Sequence, residues 1–287
     1  MTNLEMVKNK ILDKLHDIRV FKIAIGFISR IAVIYLEPFL LKSIKGKEFF
    51  FFVGMGRSGT AFIAYLLNKN SEITAYHEAI GDKQALTDAY NDINKAANYI
   101  CGYRKLLIAT RLYLSPTSKY CEANSYLRYH TDALTTYLPN TTIIHVVRDG
   151  RLVVRSMMNR GVFKSESKGH SNVISPKIGE KYYKKWKNMD RFQKTCWYWS
   201  YTNEFLLKKN LSIVRFEDLI NSYNMFLRKM PHKLTTGISY NKWKKETSKP
   251  KNISKNYEFP NYYDWTEQHK RQFEEICGPT MKRLGYF

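Results

Sequence analysis

The chain has 287 residues with 44% hydrophobic and 25% charged content, a composition that excludes disordered, collagen-like and disulfide-scaffold proteins. Its 47 lysine and arginine residues exceed the 25 aspartate and glutamate residues, which gives a formal net charge of +22. This excess favours anionic partners such as nucleotides, nucleic acids, acidic glycans or lipid headgroups, and charge alone does not choose among them.

The first 48 residues are predicted to form a helical lead-in to a single domain over residues 49–287. No cleavable signal peptide is visible, because the first twenty residues are mixed in charge and lack an apolar core. The apolar stretch from Ile23 to Leu41 carries Arg30 at its centre, a charge that costs about 3 kcal/mol in a membrane span. A helix packed on the core or lying on a membrane surface is favoured, which predicts a cytoplasmic or peripheral membrane location.

Apolar segments alternate with helical patterns along the rest of the chain. Strands are predicted at Phe49–Gly54, Ile73–Tyr76, Tyr120–Glu122, Thr141–Val147 and Leu211–Phe216. Helices are predicted at Ala61–Asn70, Asp82–Tyr99, Leu106–Leu114, Tyr126–Leu138, Leu152–Arg160, Lys181–Lys209 and Thr266–Leu284. The first, fourth and fifth strands are apolar enough to be buried on both faces. The alternation predicts an α/β fold, a single three-layer domain whose central parallel sheet is flanked by helices and binds ligands beyond the carboxyl ends of its strands.

A glycine-rich segment, GMGRSGT over Gly54–Thr60, follows the first strand. The amides of Ser58, Gly59 and Thr60 would open the next helix, and helix N-termini bind phosphate through free N–H groups. The lysine of the Walker A pattern is absent, and Arg57 supplies a cation two residues before Gly59 instead. The segment therefore predicts a P-loop-like nucleotide site and disfavours magnesium-dependent hydrolysis of ATP or GTP.

A second segment, IIHVVRDGRLVVRS over residues 143–156, joins an apolar strand to a helix. Arg148 ends the strand, and Ser156 lies eight residues later on the helix. A strand-end guanidinium and a hydroxyl on the following helix could converge on one further phosphate. A surface salt bridge between Arg148 and Asp149 is the alternative when this segment is considered alone.

Together the two segments resemble the sulfotransferases that use 3′-phosphoadenosine 5′-phosphosulfate (PAPS). That family carries an RSGT-type loop for the 5′-phosphosulfate and an RDxRxxxxS strand–helix for the 3′-phosphate. The segment LSIVRFEDL over residues 211–219 and the tail over residues 276–286 are also similar to the family. The resemblance implies a metal-independent enzyme that moves a sulfuryl group from PAPS to an acceptor hydroxyl and releases 3′-phosphoadenosine 5′-phosphate (PAP).

The resemblance also implies roles at the 5′ end of the donor. Arg57 takes the place of the loop cation beside the transferring sulfuryl group, where fixed positive charge would stabilise the transition state. The neighbouring loop residues would cradle the 5′-phosphate; they are Gly56, Ser58, Gly59 and Thr60.

At the 3′ end, the resemblance assigns Arg148 and Ser156 to the 3′-phosphate, which distinguishes PAPS from ADP-like nucleotides. A late basic loop with Lys251 and Asn252 is similar in position to the segment that closes over the nucleotide. The Arg-Lys-Gly triplet of the cytosolic enzymes is missing there, and a solvated charged turn is the alternative.

The proton acceptor is expected where the second strand ends, in the sequence ITAYHE over residues 73–78. By the resemblance, some members of the family use a histidine and others a glutamate, which makes Glu78 the favoured base and His77 the second candidate. Neighbours in an extended chain point to opposite sides, so only one of them is expected to face the sulfuryl group. A solvated loop carboxylate is the alternative for Glu78, and a partly buried, hydrogen-bonded histidine is the alternative for His77.

Glu122 and Asn124 are similar in position to the polar residues that line the family's acceptor pocket. A helix N-cap is an equally good interpretation of Asn124. His130 and His145 are predicted to be structural, because one lies among tyrosines on a helix and the other within an apolar strand. A glutamate base points by analogy to a carbohydrate, glycolipid or tyrosine acceptor.

Two other functions account for parts of the sequence. A degenerate P-loop kinase would need the missing Walker lysine. A basic module that binds nucleic acid or a membrane surface would explain the charge, but it does not explain why Arg57, Arg148 and Ser156 all fall at strand–helix junctions.

The expected partners are therefore a nucleotide donor and a hydroxyl acceptor, with no nucleic acid and with room for peripheral membrane contact through the N-terminal segment. The four cysteines form no CxxC pair, which disfavours a zinc site and predicts buried free thiols. No metal is expected, and nothing in the sequence indicates the oligomeric state.

Overall fold

A computed structural model describes residues 37–79, 81–164, 174–248 and 258–287. The predictions for Lys251 and Asn252, and for the apolar stretch before residue 37, lie outside these ranges. Among the described residues, no helix combines the length and the hydrophobicity that crossing a bilayer requires.

Five parallel strands form one sheet in the order β2–β3–β1–β4–β5. They are β1 Glu48–Gly54, β2 Ile73–His77, β3 Lys119–Ala123, β4 Thr141–Val147 and β5 Ser212–Arg215. Because the chain leaves β1 towards β2 and leaves β4 towards β5, these two connections diverge and open a crevice beyond the carboxyl ends. The predicted α/β class with a central parallel sheet is confirmed.

Helices cover both faces of this sheet and complete a three-layer arrangement. The α-helices are α1 Thr60–Leu67, α2 Asp82–Asn91, α3 Ile93–Tyr99, α4 Lys105–Leu114, α5 Thr131–Tyr137, α6 Gly150–Asn159, α7 Arg191–Leu207, α8 Phe216–Asn221, α9 Tyr223–Lys229, α10 His232–Thr235, α11 Tyr240–Thr247 and α12 Glu267–Arg283. Single 3₁₀ turns occur at Ser125–Tyr129, Trp186–Asn188 and Tyr262–Asp264, and a π-helical turn at Ile100–Arg104 joins α3 to α4.

The phenylalanines of β1 show how the two faces are filled. Successive side chains of a strand alternate between faces. Phe50 and Phe52 pack with apolar residues of α1 and α8–α11, whereas Phe49 and Phe51 pack with those of α4 and α5. Both sets are buried, which explains why this strand is apolar throughout and why the sequence locates it well.

The long helix predicted over Lys181–Lys209 is wrong in its first third, because α7 begins only at Arg191. A capping box fixes this start: Asp190 Oδ1 accepts a hydrogen bond from the Gln193 amide at 2.8 Å, and Gln193 Oε1 accepts one from the Asp190 amide at 2.9 Å. These reciprocal hydrogen bonds use the Asp190 and Gln193 amides, which would bond to carbonyls of a preceding turn if the helix extended further towards the N-terminus. The helix therefore starts at this point.

Capping residues also change two other predicted helices. Asp92 separates α2 from α3, and its carboxylate accepts a hydrogen bond from the Asn94 amide at 2.8 Å. Asn124 opens a 3₁₀ turn in the same way, so that α5 starts five residues later than the predicted helix. Asp and Asn favour such positions because their side chains bond the free amides of a helix start.

Strand β5 was expected to be buried on both faces, and this is wrong. It lies at the edge of the sheet, and Ile213 is 40% exposed. Only Val214 of this strand is fully buried, because no further strand covers the outer edge within the described ranges.

The four cysteines are free thiols. Cys121, Cys196 and Cys277 are buried, as predicted, whereas Cys101 is exposed on the π-helical turn. Burial raises the pKa of the Cys196 thiol far above its ordinary value, so this thiol stays protonated.

Residues just before β1 pack against α4. Residues 37–42 are helical, the Phe39 ring contacts the Tyr113 ring edge-on with centroids 5.4 Å apart, and Ser43 Oγ donates to the Ala109 carbonyl at 2.7 Å. The division of the chain into a lead-in over residues 1–48 and a domain over residues 49–287 stays a prediction.

Two histidines are core residues, as predicted. His145 on β4 is fully buried, with Nε2 3.0 Å from Asn203 Oδ1, and burial lowers the pKa of its imidazole to about 4. His130 is 1% exposed, and burial together with the nearby Arg104 and Arg128 lowers its pKa to about 3. Both rings are therefore neutral at pH 7.

The pKa of His145 predicts a loss of stability in acid. In the unfolded chain the pKa of His145 is near 6.5, so its imidazole gains a proton as the pH falls below this value. In the folded protein the same imidazole stays unprotonated until about pH 4. We expect this residue to lower the free energy of unfolding by about 2 kcal/mol between pH 7 and pH 5. Urea unfolding at both pH values checks this: the free energy of unfolding of His145→Gln should fall less on acidification than that of the wild type. The exposed His232→Gln serves as the control, and equal losses in all three proteins would contradict it.

Candidate functional site

The predicted site residues come together where the strands end. The glycine-rich loop follows β1, His77 ends β2 with Glu78 directly after it, and Arg148 follows β4; Ser125, which the sequence did not single out, follows β3. In a parallel sheet these ends share one edge. The site therefore lies at the crevice where the connections from β1 and β4 diverge.

Two glycines shape the loop. A Cβ on Gly54 would lie 2.2 Å from the Val146 carbonyl oxygen, so only glycine allows β1 to pair with β4 this closely. Gly59 has a φ of 93° and caps α1, and a Cβ there would lie 2.1 Å from the Phe216 ring. The loop is thus fixed between β4 and the first residue of α8.

Hydrogen bonds join the two phosphate-type segments, although they are far apart in sequence. Arg57 Nε donates to Ser156 Oγ at 2.8 Å, and Arg148 Nη1 donates to the Arg57 carbonyl at 3.0 Å. The Arg148 guanidinium also lies 5.2 Å from the centre of the Phe216 ring. Arg57 itself has a φ of 77°, in the left-handed region. Two cations and a hydroxyl therefore form a single cluster.

Asp149 does not provide the salt bridge considered for Arg148. Its carboxylate accepts from Arg151 Nε and Nη2 at 2.9 and 2.6 Å and caps α6 through the Arg151 amide. The Asp149 amide donates to Glu217 Oε1 at 3.1 Å, and Tyr286 Oη donates to Glu217 Oε2 at 2.9 Å. The two additional segments noted in the sequence, around Glu217 and Tyr286, thus brace the junction that carries Arg148.

One buried hydroxyl in the loop lacks an acceptor or donor. Ser58 is 1% exposed, and its Oγ has no hydrogen-bond partner among the described residues. The Ser58 amide donates to the Met55 carbonyl at 3.1 Å, so any anion contact of this residue would use the hydroxyl rather than the amide. The first amides of α1 have no partner four residues earlier in the helix. A phosphate oxygen suits this combination of donors.

Glu78 and His77 lie on the same side of the site, which corrects the expectation of opposite sides. Glu78 has a φ of 47°, so the chain turns after β2 instead of continuing as a strand. Its Oε1 accepts a hydrogen bond from Ser125 Oγ at 2.7 Å and lies 3.8 Å from His77 Nε2. His77 Nε2 is also 3.2 Å from Thr60 Oγ1, at the start of α1. The carboxylate and the imidazole are both partly accessible, with 27% and 30% of the side chain exposed.

Comparison with known proteins bears directly on this arrangement. A model of the sulfotransferase family matches residues 50–236, which is more than half of the chain. The chain belongs to the sulfotransferase family. A search of curated proteins finds no match.

One solved structure supports the fold. The chain matches the crystal structure of sulfotransferase STF9 from Mycobacterium avium with a TM-score of 0.51 and 11% sequence identity, over 88% of this chain and 80% of that one. The sulfotransferase domain of the Synechococcus PCC 7002 olefin synthase matches over 82% of this chain and 96% of that one, at 12% identity and a TM-score of 0.42, which is too low to establish a shared fold.

Glu122 was expected in an acceptor pocket, but it has no exposed surface. Its carboxylate accepts hydrogen bonds from Arg104, from Tyr120 Oη at 2.8 Å and from Asn124 Nδ2 at 2.6 Å. Burial opposes ionisation, yet Arg104 and Arg111 hold the pKa of Glu122 below its ordinary value. Glu122 is therefore part of a buried ionic network beneath the site and does not line a pocket.

Asn124 belongs to the same network and is fully buried, so the acceptor-pocket expectation fails for it too. Its Oδ1 accepts from the Tyr126 amide at 2.9 Å, which confirms the N-cap interpretation. Its Nδ2 donates to Asp82 Oδ2 at 2.6 Å. Asp82 and Arg104 are residues that the sequence did not single out, because Glu122 lies 18 residues from Arg104 and Asn124 lies 42 residues from Asp82 in the chain.

No metal centre is apparent in the parts of the chain that the structure describes, since none of their His, Cys, Asp and Glu side chains form a suitable group of three or more.

Proposed function

We propose that this sulfotransferase moves a sulfuryl group from PAPS to an acceptor hydroxyl by in-line displacement, without a metal ion, and releases PAP. One observation carries the proposal: Arg57, Arg148 and Ser156 converge from two strand–helix junctions. A cluster of two guanidinium groups and a hydroxyl suits the two ends of a nucleotide that carries phosphate on both sides of its ribose. The unpartnered Ser58 hydroxyl adds a donor for the 5′-phosphate, next to Gly56, Gly59 and Thr60.

Glu78 is the proposed base. The acceptor oxygen attacks sulfur as its proton passes to the Glu78 carboxylate, and a new O–S bond forms. The S–O bond to the 5′-phosphate breaks at the same time, and its electron pair leaves on PAP. Arg57 and the N-terminus of α1 stabilise the charge that develops on the departing phosphate. His77 is the second candidate, since it lies between Thr60 and Glu78.

The acceptor class follows from the base. A carboxylate in this position resembles the carbohydrate- and tyrosine-directed members of the family, so we propose a carbohydrate, glycolipid or tyrosine hydroxyl. Lys251 and Asn252 are proposed to close over the nucleotide, as the position of their loop in the sequence implies.

Calorimetric titration with PAP tests the donor site directly. We expect PAP to bind at least 10-fold more tightly than ADP, with or without magnesium, because only PAP offers a 3′-phosphate to Arg148 and Ser156. The preference should persist at two salt concentrations. Equal or absent binding of the two nucleotides would contradict the sulfotransferase proposal, and affinity that falls steeply with salt for both would favour a basic binding module.

A further inference from the structure

The backbone at Glu78 is held in an unfavourable conformation. A residue other than glycine at a φ of 47° lies in the left-handed region, which is energetically unfavourable for L-amino acids. Such a conformation persists only where the surroundings determine it. The contacts on either side of Glu78 therefore decide where its carboxylate points.

One contact acts on the peptide that follows Glu78. The Ala79 amide donates a hydrogen bond to Asp82 Oδ2 at 2.7 Å, and the Asp82 amide donates back to the Ala79 carbonyl at 3.3 Å. These bonds close a short turn between β2 and α2. The turn fixes the direction in which the chain leaves Glu78, while Ser125 holds the end of its side chain.

Asp82 is itself held from three sides. It has no exposed surface, and its carboxylate accepts hydrogen bonds from Ala79, Tyr99 and Asn124. Asn124 Nδ2 reaches Oδ2 at 2.6 Å, Tyr99 Oη reaches Oδ1 at 2.6 Å, and Arg104 Nη1 lies 3.5 Å from Oδ1. A carboxylate that accepts hydrogen bonds from Ala79, Tyr99 and Asn124 beside the Arg104 guanidinium fits this environment, whereas an amide would place an NH₂ group against at least one donor.

Arg104 connects this turn to the centre of the sheet. It is fully buried at the end of the π-helical turn and pairs with Glu122 on β3 as well as with Asp82. Removing one partner of a buried ionic network leaves an uncompensated charge, so such networks resist displacement. Asp82 is therefore linked to α3 through Tyr99, and to β3 through Arg104 and Glu122.

We propose that Asp82 is a positioning residue for the transfer reaction: by anchoring the Ala79 amide, it holds the strained backbone of Glu78 and aims the Glu78 carboxylate at the acceptor hydroxyl. Asn124, Tyr99 and Arg104 hold Asp82 in turn. This inference rests on the proposed function of Glu78 as the base. It gives the ionic network beneath the site a functional role, which is to hold a strained residue in place. A contribution to stability alone would not require the network to lie next to that residue.

The test combines kinetics with hydrogen exchange on Asp82→Asn. With PAPS as the donor and water as the acceptor, we expect kcat to fall about 10-fold or more, with the KM for PAPS and the affinity for PAP unchanged, because a misaimed base slows chemistry and not binding. The exchange of the Ala79 amide with solvent should become about 10-fold faster, because its acceptor is weakened.

A double variant separates positioning from a general structural effect. If Asp82 acts through Glu78, Asp82→Asn should lower kcat no further in a Glu78→Gln background. Asp88→Asn, on the same helix outside the network, should behave like the wild type. Leu234→Ala, in the core on the opposite face of the sheet, provides a destabilised control whose kcat should hold.

Each outcome has a distinct meaning. A wild type that releases no PAP from PAPS would overturn the proposed function and this inference with it. An active wild type with a normal kcat and a normal Ala79 exchange rate in Asp82→Asn would overturn the positioning role alone. If Asp82→Asn does not fold, Tyr99→Phe removes one donor to the carboxylate, and an unchanged kcat there would overturn the role as well.

Discussion

Replacing Glu78 with glutamine should lower turnover by ~10²-fold or more and leave PAP affinity unchanged. Glutamine keeps an oxygen that can accept the hydrogen bond from Ser125, so the local geometry survives. What it loses is the ability to take a proton from the acceptor hydroxyl. The rate of PAP release from PAPS, with an acceptor found by screening or with water, measures the effect.

Glu72→Gln is the matched control for this substitution. Glu72 lies just before β2, its side chain is 61% exposed, and it pairs with Lys119 away from Glu78, so the same chemical change there should leave turnover intact. Normal turnover in Glu78→Gln would remove Glu78 as the base. His77→Gln would then become the decisive variant, since His77 Nε2 lies only 3.8 Å from the same carboxylate.

Replacing Arg148 with alanine should weaken PAP binding by about 10- to 100-fold while changing ADP binding far less, as expected for the loss of one charge-assisted hydrogen bond. In the proposed function, Arg148 binds the 3′-phosphate, a group that ADP does not carry. Calorimetric titration of the variant with each nucleotide measures the difference.

Arg151→Ala provides the control, because Arg151 lies in the same turn but pairs with Asp149. It removes the same charge without touching the loop. Arg148 also donates to the Arg57 carbonyl, which gives the variant a second way to act. Equal losses of affinity for PAP and ADP would show that Arg148 works by shaping the loop, and the assignment to the 3′-phosphate would fail.

The parts of the fold that the sequence locates well are those in which one force dominates. Strand β4 is observed over Thr141–Val147, as predicted, because a β-branched apolar run has no comparable alternative to burial in a parallel sheet. Helix boundaries were located less well. Asp92 and Asp190 each cap a new helix, because their side chains accept hydrogen bonds from backbone amides. From the sequence alone, a polar residue inside an amphipathic pattern can equally cap a helix or continue it.

The candidate site divides in a similar way. The cluster of Arg57, Arg148 and Ser156 could be predicted because the loop and the RDxRxxxxS segment each hold their hydrogen-bond donors within a few residues of sequence. The turn at Glu78 was not, since strand alternation carries no sign of a left-handed residue. Asp82 and Arg104 could not be identified from the sequence either, because their ion pairs form only when β3, α2 and the π-helical turn come together in the fold.

The contact between Tyr286 and Glu217 also bears on the order in which the protein can be completed during synthesis. The five strands can pair as soon as residue 215 has been made, since all of them lie before it. The brace on the Asp149 junction gains its last hydrogen bond only after residue 286 has been made. A nascent chain with a finished sheet would therefore hold Arg148 less firmly than the full chain does. Long-range contacts of this kind form late in folding, so nucleotide-binding competence should trail the appearance of the sheet.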